Sequence, residues 1–135
     1  MKSRETLLRL KRFQVDEKRR QVTQIETMIA EFERMANDLD REVKTEEQRA
    51  GISDVTHFAY PTYARAAMGR RDNLRGSAQN LRQKLDVAKA ALGEAFEELK
   101  KVEIMEDRER ASERGVEAQR EQELDRIALR GQPRL

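Results

Sequence analysis

Apolar residues recur every seven positions along the first third of the chain: Leu8, Val15, Val22, Ile29, Ala36, Val43 and Ala50 keep one register. A second column, Ile25, Phe32 and Leu39, follows three positions after the first. Positions three and four apart share a helix face, so the two columns make one stripe that a partner helix must cover. No Pro or Gly stands between Phe13 and Gly51, and strong helix formers fill the remaining positions, which predicts a first helix over residues 3–50. At the rise of an α-helix it would be roughly 70 Å long.

The pattern breaks at AGISDVTHFAYP, where Gly51 suits a left-handed helix end, Ser53 and Asp54 favour turns and Pro61 suits the first turn of a new helix. Residues 51–61 are therefore expected to be the turn. A second heptad follows over residues 62–106, with Leu85, Leu92 and Leu99 in one column and Leu74, Leu81, Ala88, Ala95 and Val102 in the other. If the chain reverses near Val55, Val43 comes near Ala67, Phe32 near Ala78 and Leu8 near Val102. Large residues then face small ones, as close packing of two helices requires. The fold class predicted is all-α: a long antiparallel two-helix coiled-coil hairpin. Past Met105 the seam positions become Glu106, Glu109 and Glu113. Residues 107–135 are accordingly expected to form a C-terminal overhang, either a frayed helix or disordered.

Composition sharpens this picture. In 135 residues only 37% are hydrophobic and 40% are charged, too little apolar material for a thick globular core. With no Cys, disulfides and thiolate metal sites are excluded. No apolar run is long enough to span a bilayer and the start lacks a signal-peptide core, so a soluble cytoplasmic protein is expected.

Catalytic patterns are missing: one His, no Gly-rich phosphate loop and no metal-type spacing. No enzyme, no cofactor and no metal is expected. His57 beside Phe58 reads as a loop residue rather than a ligand or pH sensor.

Contact with other proteins remains. Phe58, Tyr60 and Tyr63 are half of the aromatic residues and stand together at the turn, where they either close the last layer of the core or anchor a partner. At the other end Leu7, Leu10 and Phe13, with Phe96, Ile104 and Met105, lie off the seam. Two helices cannot cover all of them, which suggests insertion into a partner or self-association into a four-helix bundle. Lys11 and Lys18 occupy seam positions there and weaken the pairing. Basic stretches such as RAAMGRRDNLR can attract phosphates, so a nucleic-acid-associated coiled coil is a further alternative. A net charge of only +2, with acids along the same helices, favours a solvated face and no direct nucleic-acid contact.

The segments MKSRETLLRLKRFQVDEKRRQVTQIE and HFAYPTYARAAMGRRDNLR resemble the flagellar FliJ family, specifically its alphaproteobacterial branch, over nearly the whole chain. The resemblance implies a non-enzymatic stalk of the flagellar type III export apparatus, cytoplasmic and held at the inner face of the membrane only through its partners. It implies that the end carrying both termini inserts into the export ATPase ring, here Leu7, Leu10, Phe13, Ile104 and Met105 with the overhang. It further implies contact with the cytoplasmic part of the export gate near the turn, at Phe58, Tyr60, Tyr63 and Arg70, and a role in escorting export chaperones.

Overall fold

The computed structural model describes residues 2–131, so residues 132–135 of the expected overhang lie outside the described residues. Two long helices pack against each other, α1 (Lys2–Ala50, 49 residues) and α2 (Thr62–Arg130, 69 residues), and no strand occurs among the described residues.

Burial along α1 follows the heptad. Val15, Val22, Ile29, Ala36 and Val43 are buried, one every seven residues. Ile25, Phe32 and Leu39 in the second column are half-buried, as is Leu8. Ala50 is exposed because α1 ends there. Gly51 adopts the left-handed conformation at φ 69°, its N–H donates to the Gln48 carbonyl at 3.3 Å, and the Ile52 N–H donates to Glu47 at 3.3 Å. Only glycine takes that backbone without strain, and the two bonds satisfy carbonyls that the helix end would leave open.

The chain forms two compact units. One comprises residues 16–94 and contains the turn. Its core at the turn is Val43, Tyr60, Ala64 and Ala67, with Leu39, Ile52, Val55 and Met68 packed against it. Ala64 and Ala67 have essentially no exposed surface. Small residues let the two helices approach closely there, while Tyr60 folds back to fill the last layer. Across this unit the partners run in opposite order: Glu33 pairs with Arg82, Asp40 with Arg71 and Glu42 with Tyr63.

The other unit joins α1 up to Val15 with α2 from Ala95. Ala95 and Val102 are buried, and Arg4 pairs with Glu109 and Glu113 while Lys11 pairs with Glu98. Lys11 is thus not an open defect in the seam. Its stem lies along the helix contact, its ammonium reaches Glu98 Oε2 at 2.9 Å, and its side chain is only 22% exposed.

The backbone stays helical across 106/107, the expected boundary between the coiled-coil segment and the overhang, and α2 continues to Arg130. What changes is burial. Glu106 is the last buried residue, and every described residue from 107 onwards is exposed. Strong helix formers and the intrahelical pair of Arg110 with Glu106 maintain the helix where packing no longer does.

Candidate protein-interaction surfaces

At the turn, a set of short-range bonds fixes the backbone. Asp54 accepts from the Thr56 N–H at 3.0 Å and from its hydroxyl at 2.7 Å, and the Thr56 bonds hold the Asp54 carboxyl below its usual range. The His57 N–H donates to the Asp54 carbonyl and the Tyr60 N–H to the His57 carbonyl, both at 3.1 Å. His57 Nδ1 accepts from the Ala59 N–H at 3.0 Å, and its ring stacks on Phe58 with centroids 4.7 Å apart. From α2, the Arg65 guanidinium donates to the Val55 carbonyl at 2.9 Å and lies over the Tyr60 ring.

The four residues expected at this surface therefore divide. Phe58 is 97% exposed on a backbone held by these bonds, a rigid presentation that costs little entropy on contact. Tyr60 points the other way and belongs to the core, so it offers no ring to a partner; burial, with the Glu47 carboxylate adding to it, raises its pKa. Tyr63 is half exposed, and its hydroxyl donates to Glu42 Oε2 at 2.8 Å, which raises its pKa. Arg70 is exposed.

In the other unit, Leu7, Leu10, Phe13, Ile104 and Met105 are all exposed, between 37% for Leu7 and 57% for Phe13. Leu7 stands three residues after Arg4 and four before Lys11, and Met105 stands four residues before Glu109. These neighbours are the ion pairs that bridge the helices. Leu7 and Met105 therefore flank one row of interhelical charges, with Leu10 beside Leu7. Helical periodicity puts Phe13 and Ile104 on the outer faces of their helices. The five do not form one flat patch; they are spread around the helix pair at one end. Phe96, also off the seam, is 39% exposed.

The polar residues inside the seam were not foreseen as a set. Arg71 extends the column of Leu85 back by fourteen positions, through Ala78, and its side chain is only 17% exposed. It donates to Asp40 Oδ1 at 2.7 Å and to Asp72, and Lys44 and Arg75 approach the same Asp40 carboxylate. The hydrogen bond with Arg71 holds Asp40 below the usual carboxylate range, and the same bond raises Arg71. Glu106 occupies the same column thirty-five positions on. One of its oxygens pairs with the Arg110 guanidinium at 3.1 Å, and the other is buried without a hydrogen-bond partner among the described residues. The column itself was the available signal, since counting in sevens from Leu85 reaches both residues.

Among the described residues no group of His, Cys, Asp or Glu is arranged to hold a metal ion, and no helix is long and apolar enough to cross a membrane. No protein-family model, curated protein or solved structure matches this chain.

Proposed function

We propose that this chain is a non-enzymatic stalk of the flagellar type III export apparatus, built as an antiparallel coiled-coil hairpin with a C-terminal overhang. Its terminal end inserts into the export ATPase ring, and its turn contacts the cytoplasmic part of the export gate. It works at the inner face of the membrane through these partners, with a role in chaperone escort.

The supporting observation is the placement of apolar side chains at the end where Arg4 meets Glu113. Leu7, Leu10 and Met105 occupy one flank, while Phe13 and Ile104 face outward from each helix. A flat partner covers one side of a helix pair, whereas exposure on several sides suits a partner that surrounds it. Binding would then rest on a few apolar anchors within a charged rim. At the turn, Phe58 is the anchor, and Tyr63 and Arg70 are exposed on the first turns of α2.

The test is the double substitution Leu7→Asp with Leu10→Asp. Both side chains are exposed, so helix content measured by circular dichroism should be unchanged, while binding to the export ATPase and motility are lost. Retention of both would overturn ring insertion.

A further inference from the structure

Beyond Glu113 the seam register of α2 continues through Val116, Arg120, Glu123, Ile127 and Arg130, all fully helical and all exposed. Val116 and Ile127 are 52% and 61% exposed, and Leu124 beside them is 64% exposed. This is the same 3-4 alternation that buries Ala95 and Val102 against α1, carried past the residues α1 reaches.

We infer that this stretch is a self-pairing surface: two copies of the chain join through residues 116–127 of α2, lying antiparallel. In an antiparallel pair the two seam columns face each other layer by layer. Placing Val116 opposite the second copy's Ile127 sets Arg120 opposite the second copy's Glu123, and by symmetry each layer occurs twice. The order along the contact is apolar, ionic, ionic, apolar. The next layer out sets Glu113, which also holds Arg4, opposite the second copy's Arg130.

The alternatives are worse for stated reasons. A parallel pair puts Arg120 against Arg120 and Glu123 against Glu123. Sliding the antiparallel pair by one heptad in one direction sets Glu113 against Glu123 and Val116 against Arg120; sliding it the other way sets Arg120 against Arg130 and Glu123 against Ile127. Like charges facing each other destabilise a pair and specify against it. One register satisfies every layer, and its two-fold symmetry is that of an isologous dimer. Two apolar layers make a weak contact, so pairing depends on concentration and is exchangeable.

The test is sedimentation equilibrium on the full chain over a range of concentrations. The wild type should shift from 15.8 kDa towards twice that mass as concentration rises. Arg120→Glu and Glu123→Arg should each remain monomeric alone, because each creates like-charge layers. Mixed one to one they should pair, since every ionic layer is then complementary, and the double variant carrying both changes should pair with itself. Both substituted positions are solvent-facing, so the fold is not at stake, and circular dichroism should be unchanged in every variant. A wild type that stays monomeric overturns the inference, as does self-association that both single variants retain or that mixing fails to rescue. Binding to the export ATPase, measured separately, tests the stalk reading, and loss of either leaves the other standing.

Discussion

Arg71 and Asp40 form the ion pair that crosses from α2 to α1 inside the seam, with a guanidinium nitrogen 2.7 Å from Asp40 Oδ1 and both side chains mostly withdrawn from solvent. A polar residue at a seam position ties register to its partner, since sliding the helices leaves the guanidinium without its carboxylate. Asp40→Asn should therefore lower the thermal midpoint, because Arg71 keeps its charge and loses its counter-ion. Arg71→Leu should cost less, and the double variant should recover much of the loss, since an apolar side chain suits the seam. Equal losses in the two single variants would contradict a register role.

Acid sensitivity follows from the same kind of contact. Asp40, Glu98 and Glu113 each ionise below their ordinary values of 3.8, 4.5 and 4.5, because Arg71, Lys11 and Arg4 hydrogen-bond their carboxylates. A carboxylate whose pKa is depressed by folding contributes stability above its unfolded value, and that contribution disappears as pH falls through the lower folded value. The melting midpoint should be nearly flat down to about pH 5 and then fall. Asp40→Asn should shallow that fall, and added salt should weaken the two more exposed pairs first.

Much of this architecture was legible in the chain. The seven-residue spacing marks the buried column of α1 from Val15 to Val43, and Gly51 with Pro61 marks the break, because periodicity and backbone preference are local properties. Less legible were contacts between distant positions. Lys11 reads as a flaw in the seam until Glu98 stands beside it. Tyr60 and Phe58, two residues apart in one aromatic cluster, have opposite fates in a turn whose backbone is fixed by N–H groups donating to Asp54 and to the His57 carbonyl. The acidic seam past Met105 leaves helix or disorder open for the overhang, because loss of seam apolarity ends burial without deciding backbone conformation.

Glu106 shows what an acidic seam position costs. It is buried, with one carboxylate oxygen unpartnered among the described residues. Glu106→Leu should stabilise the chain by about 1–2 kcal/mol in urea unfolding, since it removes a buried acceptor without a donor and extends the apolar column. A destabilised variant would mean that the Arg110 pair outweighs the unpaired oxygen.

At the turn, Phe58→Ala should change stability by less than about 0.5 kcal/mol, because the residue is almost fully exposed and its ring stacks on His57 rather than in the core. Binding to the cytoplasmic part of the export gate should nevertheless be lost. Tyr60→Ala should do the reverse in thermal melting, lowering the midpoint by opening the layer shared with Val43, Ala64 and Ala67. A Phe58→Ala variant that binds the gate normally would remove the turn from the interaction.

The most direct test of the stalk reading is size-exclusion chromatography with light scattering on this chain mixed with the flagellar export ATPase of the same cell, with ATP turnover followed in parallel. The chain should co-elute with an ATPase oligomer and raise its turnover. A chain that elutes at its own mass while turnover stays unchanged would contradict it.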